Sequence, residues 1–409
     1  MKRPNDSTRA GPGRRDVLAA IGAAALLGAP HARAADATAD IRVGYLHWAE
    51  PHPTISLLDK PAADNGMAGA RIGLADNNTT GRFLGQQFTL IEADLRAGDD
   101  PRAALAALVA QQVRLVLTDV PGAVLLALAD AGHADGVTLF NLAAPDDALR
   151  GKECRADIIN VAPSRAMLAD AVAQYLVWKR WTRWLLVLGS HPEDAALADA
   201  YRRAAKRFGA RIVQERVFKD TGESRQTDSG LVQTQQEMPV FTQGAPQYDV
   251  LVAADENEVF AGYLPYRTWD PRPVVGSAGL RPQSWDASSE SWGGAQLQDR
   301  FERKFRRRMT PIDMQAWTAV RMIGEAASRA GGTTAQAIIA YMKGPEFAVA
   351  AYKGQKLTLR PWDLQLRQPI LLTDGRGVVS ISPQPGFLHQ VTELDTLGID
   401  RPENTCAFR

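Results

Sequence analysis

From residue 41 onward, short apolar runs alternate with segments patterned as helices, and the alternation runs through once and then starts again. Residues 41–46, 88–92, 115–118 and 137–141 each read as a strand. Their near-continuous apolar character is that of parallel strands covered on both faces. Between them, Met67, Ala70, Arg71 and Leu74 stand at helical spacing within 65–78. Asp100-Pro101 supplies a cap and a first-turn proline for the next helix, and 124–130 reads as another. The second round has strands at 158–161, 185–188, 212–218, 249–253 and 273–276, with helices at 164–176 and 195–208. Residues 219–239 are polar and read as loop and helix start, and 277–294 as a Gly/Ser/Pro/Trp-rich loop. Helices are expected at 296–308, 312–330 and 334–342. A hairpin is expected from 356–366 and 369–382, joined around Arg367-Gln368, with a further turn at residues 374–377. Two α/β units follow from this pattern, and ligands of open α/β sheets bind where the strand C-termini face a crevice.

The first 34 residues read as an export leader. A basic start (Lys2, Arg3, Arg9, Arg14, Arg15) precedes an apolar run over 17–29, too short for the roughly 20 residues a membrane helix needs. Ala32-Arg33-Ala34 then offers a small-x-small cleavage pattern. Arg14-Arg15 resembles a twin-arginine signal, with Val17 where Phe is usual; the alternative is an ordinary signal with two chance arginines. Either route leads to the periplasm. The leader holds six of the 47 basic and two of the 46 acidic residues, which leaves a mature net charge of −3. That balance speaks against a nucleic-acid partner, and no second long apolar run suggests membrane embedding. In an oxidising compartment the two cysteines, Cys154 and Cys406, read as one disulfide tying the C-terminus to mid-chain; two unpaired thiols are the alternative.

Residues 66–71, Ala75, Asn77-Asn78, Gly81, Leu84-Gly85, Leu90 and Asp94 follow, in order, the first helix and second strand of the leucine-binding type of periplasmic solute-binding protein. Residues 99–108, 113–116, 137–145, 163–175 and 301–327 continue the resemblance, with Trp317 where that family often has Tyr. The resemblance implies an α/β type I periplasmic-binding-protein fold: two doubly wound lobes, a ligand cleft, three hinge crossovers, and delivery to an ABC transporter permease. It implies lobe 1 at 35–160, lobe 2 at 161–275, a return to lobe 1 at 276–345, a return to lobe 2 at 346–395, and a disulfide-tied tail at 396–409. Residues 44–46, 154–156, 162–170, 175–181 and 402–406 are similar to a subfamily linked to pyrroloquinoline quinone and quinone-dependent alcohol oxidation. That likeness implies a small planar polyacid, pyrroloquinoline quinone itself, as ligand. The alternatives are a cofactor chaperone or sensor serving a quinone-dependent dehydrogenase, and a binder of an amino acid or other small solute.

Candidate ligand residues stand at strand and helix ends. Trp48 could stack on a planar ligand and His47 could donate to a carbonyl or carboxylate, unless that loop simply packs on its neighbours. Glu50 lies beside them; a metal reading of His47, Glu50 and His52 is weak because His52 sits between two prolines. Asp119 and Asn141 stand in the loops where amino-acid binders hold the α-carboxylate. Asp119 would repel that group and Pro121 removes a donor, so a branched-chain amino acid fits poorly. Arg165 opens a helix and could hold a carboxylate or make a local salt bridge. Ser190, His191, Asp255 and Glu256 end strands of the second unit, where capping is the competing role. Arg281 and Trp285 could supply charge and stacking, with Trp292 nearby. No GxSxG, P-loop or HExxH occurs, which points to binding rather than catalysis.

Overall fold

The computed structural model describes residues 38–48, 61–96, 98–220 and 228–408. The first 34 residues, expected to be an export leader, lie outside them. Strands β1 (Ala39–Trp48), β2 (Gln86–Leu95), β3 (Leu115–Asp119), β4 (Thr138–Asn141) and β5 (Ile158–Asn160) form one parallel sheet in the order β2-β1-β3-β4-β5. One face packs on α1 (Met67–Gly81) and later helices, the other on α2 (Pro101–Ala110) and α3 (Gly122–Gly132). Val43, Val116 and Leu117 are fully buried because both faces are covered. Asp100 caps α2 by accepting from the Arg102 N–H at 3.0 Å, as the Asp-Pro pair suggests.

The second lobe repeats the architecture. α4 (Arg165–Trp178), β6 (Arg183–Leu188), α5 (Pro192–Phe208), β7 (Arg211–Val217), α6 (Asp228–Thr242), β8 (Val250–Ala254), α7 (Leu264–Arg267) and β9 (Val274–Gly276) build a parallel sheet in the order β7-β6-β8-β9. Its two faces bury separate apolar clusters, one with α4 and α5, the other around Met238, Phe260 and Leu264. Residues 228–242 are helical although Pro239 lies inside them, so the helix start read into the polar stretch 219–239 becomes α6 and takes up its second half.

The chain then returns. β10 (Arg281–Gln283) still belongs to lobe 2, since it pairs with β13 (Ile370–Thr373), which pairs with β14 (Val378–Ser382). α8 (Gly294–Phe305), α9 (Pro311–Arg329), α10 (Ala335–Met342), β11 (Val349–Ala350) and β12 (Lys356–Leu357) belong to lobe 1. α9 crosses α1 so closely that a Cβ on Gly69 would meet the Asp313 carbonyl oxygen at 1.9 Å. Thr310 and Asp313 form a capping box at the start of α9.

Two expected boundaries need correction. The return to lobe 1 begins at Ser284, not residue 276, because β10 is hydrogen-bonded into a lobe-2 sheet. The return to lobe 2 begins near Gln368, not residue 346: Phe347, Val349, Ala351, Leu357 and Leu366 lie in the lobe-1 core, and Gln365 bridges to Asn160 of β5. The expected hairpin from 356–366 and 369–382 therefore does not form. Arg367-Gln368 is a crossover between lobes, and the hairpin is β13–β14 with its turn at residues 374–377. The tail also differs. Leu397 is in the lobe-2 core, and only beyond Gly398 does the chain run back to lobe 1, where Cys406 joins Cys154.

Candidate functional site

Among the described residues three chain crossings lie side by side between the lobes, near residues 161–164, 283–285 and 366–369, and the tail beyond Gly398 makes a fourth, closed by the Cys154–Cys406 disulfide. Beside them is a cavity of about 360 Å³ with walls from both lobes. Lobe 1 contributes Ala143, Pro145 and Gln315. Lobe 2 contributes α4 (Arg165, Leu168), α5 (Leu197, Tyr201), the segments after β8 and β9 (Asp255, Glu256, Glu258, Ser277) and β10 (Arg281, Pro282, Gln283).

Arg165 is the most constrained charge in this wall. Ser164 caps α4, which sets the Arg165 side chain at the helix start, and only 6% of that side chain is exposed. Its guanidinium donates to both Glu256 carboxylate oxygens at 2.7 and 2.6 Å and to Asp146 at 2.9 Å. Burial works against its charge, but the hydrogen bond and charge of Glu256, with Asp146, more than offset that, so its pKa ends above the ordinary value. Burial raises the Glu256 carboxyl and Arg165 opposes the rise. Arg165 thus makes a salt bridge with residues of neighbouring loops, Asp146 and Glu256, while Asp170 of the same helix binds Arg203 and Arg207 in the lobe-2 core.

Arg281 differs. It also lines the cavity, half-buried, yet among the described residues its side chain makes no hydrogen bond or ion pair. Glu258 on the same wall is likewise unpaired there. Arg281 therefore supplies a cation free to meet a carboxylate, an interaction stronger than a neutral hydrogen bond.

The remaining expected site residues have other duties. Trp285 is fully buried in the lobe-1 core, one residue past the crossover, so it cannot stack on a cleft ligand; the expectation is corrected by its burial. Trp48 is half-buried and packs with Leu46 on the α2–α3 side of the sheet, away from the cavity. His47 and Asp119 face each other across the parallel β1–β3 register and bond at 2.9 Å, which holds the imidazole pKa above its usual value. Asn141 is buried and saturated: it accepts from the Ala143 and Ala144 N–H groups and donates to Ala144 O and Asn160. Ser190 accepts from the Asp220 N–H, and His191 caps α5 and bonds Asp220 at 2.9 Å. Asp255 lines the cavity, but both its oxygens are taken by the N–H groups of Val259, Phe260 and Ala261. It thus holds the loop that leads into the next helical turn rather than a ligand. Glu50 and His52 lie outside the described residues.

Sequence reasoning missed Tyr201, Gln283, Gln315 and Glu258. Tyr201 sits within a helix and reads as core; its hydroxyl pKa is pushed above the ordinary range by burial. Gln283 is adjacent to Arg281 and could have been found from β10 had that strand been recognised. It missed Arg150 too. That fully buried guanidinium donates to Ala144, Asp146 and Ala162 carbonyls and to Gln365, and so fixes the lobe-1 rim of the cavity. Burial lowers its pKa to about 10.

Comparison with solved structures decides the architecture. The leucine-, isoleucine-, valine-, threonine- and alanine-binding protein of Brucella ovis, in a closed conformation, superposes with a TM-score of 0.68 at 15% identity, over 90% of this chain and 99% of that one. The chain has the type I periplasmic-binding-protein fold. A Rhodopseudomonas palustris solute-binding protein of an ABC transporter, in complex with 3,4-dihydroxybenzoic acid, shares this fold at 13% identity, with a TM-score of 0.59 over 81% of this chain and 92% of that one. A branched-chain amino acid ABC transporter ligand-binding protein of Burkholderia xenovorans matches at 19% identity, TM-score 0.63, over 83% and 95%. The family model described as periplasmic binding protein matches residues 59–232. No curated protein matches the sequence. In this fold the two sheets present their strand C-termini to the cleft between the lobes, where Arg165, Glu256 and Arg281 lie. Among the described residues no helix is long and apolar enough to cross a membrane.

Proposed function

We propose that this chain is the periplasmic solute-binding component of an ABC-type uptake system and that it closes over a small carboxylate-bearing organic solute. The observation that carries the reading is the two-walled cavity at the crossovers, whose lining includes one guanidinium, Arg281, that has no partner among the described residues, beside the Arg165–Glu256 pair. The leader pattern supports export, and the fold and the family match over residues 59–232 support solute binding. A binding role also agrees with the chemistry of the wall: Glu256 is committed to Arg165 and Asp255 to backbone N–H groups, which leaves Glu258 as the one unpaired carboxylate among the described lining residues.

The ligand's class follows from charge. Arg281 favours a carboxylate, while Glu258 and the neutralised Arg165–Glu256 pair disfavour several negative charges close together. A ligand with one carboxylate against Arg281 and an apolar body against Leu168, Leu197 and Pro282 matches the wall better than a dense polyanion. Pyrroloquinoline quinone is the specific candidate that the subfamily resemblance offers, but it is a tricarboxylate, so this charge pattern speaks against it, and it would have to bind without Trp285 as a stacking partner.

The test is calorimetric titration of the mature protein, stripped of endogenous ligand by unfolding and refolding, with pyrroloquinoline quinone, 3,4-dihydroxybenzoate and leucine. One-site binding of a carboxylate ligand that Arg281→Gln weakens about tenfold or more is expected, since a hydrogen bond to a charged group contributes about 1.5–3 kcal/mol. Binding that ignores Arg281→Gln, or no carboxylate binding at all, sinks the reading.

A further inference from the structure

Lys353 sits at the tip of the β11–β12 hairpin of lobe 1 and is buried. The hairpin is anchored firmly. Val349, Ala351 and Leu357 are in the lobe-1 core, and the Tyr352 ring packs on Trp317 of α9 at 5.3 Å. Tyr352 also takes a left-handed backbone, φ 54, which a bulky residue accepts only where its surroundings demand it. From that tip the Lys353 ammonium reaches out of its own element into the crossovers. It donates to Ser284 O at 2.5 Å, to Gln368 Oε1 at 2.8 Å and to Pro369 O at 3.5 Å. Ser284 stands on the second crossover, and Gln368 and Pro369 on the third. Gln368 in turn donates to Val161 O, on the first, at 2.7 Å. One side chain thus links the three adjacent chain crossings, two directly and one through an amide; the disulfide-tied tail is a fourth connection that it does not touch.

We propose that Lys353 is the pin of the interlobe hinge, a positioning residue whose ammonium holds the crossovers in register and whose removal or neutralisation frees the lobes to open. The proposal goes beyond the ligand reading and does not depend on which solute binds.

The chemistry supports the assignment. An ammonium has three donors, matching its three acceptors here. A neutral amine has two donors and a lone pair, so one oxygen would face a lone pair instead. No carboxylate pairs with Lys353 among the described residues. The charged residues on the same crossovers make their contacts elsewhere. Arg165 binds Glu256 and Asp146, Arg367 binds Asp395, Asp286 accepts from Ser288, and Arg281 lines the cavity. Burial alone therefore acts on the group and lowers its pKa to about 7. The hinge is pinned below that pH and loosened above it. Global stability moves the opposite way. The unfolded chain binds this proton up to about 10.5, so the group's contribution to stability rises between about 7 and 10.5 while the hinge loosens. That rise in stability follows from the depressed pKa whatever the residue's role, so the mark of a pin is the loss of interlobe order when the ammonium is neutralised.

The test places spin labels at Ala123→Cys and Glu193→Cys, exposed positions near the starts of α3 and α5 that flank the cleft on opposite lobes. Label separation is read without ligand at pH 6 and pH 9. Wild type is expected to shift to longer, broader distances at pH 9. Lys353→Met should show the long distances already at pH 6 and no pH response. Lys353→Gln, which keeps two donors, serves if the Met variant does not fold, and should likewise be open and pH-indifferent. An unchanged wild-type distance between pH 6 and pH 9, or a variant that matches wild type at pH 6, overturns the proposal. Calorimetry on the same variants separates this outcome from failure of the ligand assignment, because Arg281→Gln should alter binding and leave the label distances unchanged.

Discussion

The two walls of the cavity handle polar groups in opposite ways. On the lobe-1 side, the strand ends satisfy one another: His47 with Asp119, and Asn141 with its own loop and Asn160. What that wall shows to the cavity is Ala143, Pro145 and the amide of Gln315. On the lobe-2 side, Arg281 and Glu258 remain unpaired among the described residues, and Arg165 and Glu256 form a fixed ion pair. The difference locates recognition. A polar group that has already met its partner gains little from a ligand, whereas an unpaired guanidinium gains a charge-assisted hydrogen bond. Lobe 1 is the anvil of this site and lobe 2 carries its chemistry.

The largest effect that could break this comparison is at Trp285. If it belongs to the lobe-1 core alone, Trp285→Ala should cost about 3–5 kcal/mol of stability through the cavity it leaves. Thermal melting would show this as a large drop in Tm, and the folded fraction should bind ligand with unchanged affinity. Loss of affinity with little loss of stability would restore Trp285 to the cleft. Arg281→Gln should do the reverse: affinity falls by about 1.5–3 kcal/mol in calorimetric titration while stability stays within about 0.5 kcal/mol. Glu256→Gln is intermediate. It leaves the nearly buried Arg165 with Asp146 as its one carboxylate, which should cost about 2 kcal/mol in denaturant unfolding. Its effect on affinity should stay below that of Arg281→Gln; an equal or larger effect would make the ion pair part of recognition.

What the sequence disclosed follows the same division. Strands such as residues 115–118 and 185–188 were legible because a parallel strand buried on both faces must be apolar along its length. The Cys154–Cys406 pair followed from compartment and number, a constraint that needs no geometry. The region after residue 346 was misplaced because its extended pattern does not say which strand it joins. Gln365 bridging to Asn160 holds it to lobe 1, while Arg360 and Arg367, both bonded to Asp395, tie it across to lobe 2. Those are contacts between residues far apart in the chain. Trp285 misled for a related reason: a tryptophan in a polar loop suggests exposure, but one residue past a crossover its ring points into a core. Arg281 and Arg165 were both visible as candidate cations, yet only structure shows which of them is already taken.

The smallest prediction tests the quiet wall. The imidazole of His47 has its pKa raised chiefly by the Asp119 hydrogen bond, and its side chain is 22% exposed. A folded-state pKa above the unfolded value near 6.5 means this pair stabilises fully below that pH and fades as pH climbs through the folded-state pKa. Because the pair is partly solvated, its worth should not exceed about 1 kcal/mol. Melting of wild type and His47→Gln from pH 5 to 9 should therefore show a small gap in Tm at the acid end that closes toward the alkaline end. Calorimetry at any of these pH values should find the two proteins binding ligand alike. If His47→Gln weakened binding as Arg281→Gln does, lobe 1 would share in recognition and the contrast between the walls would fail.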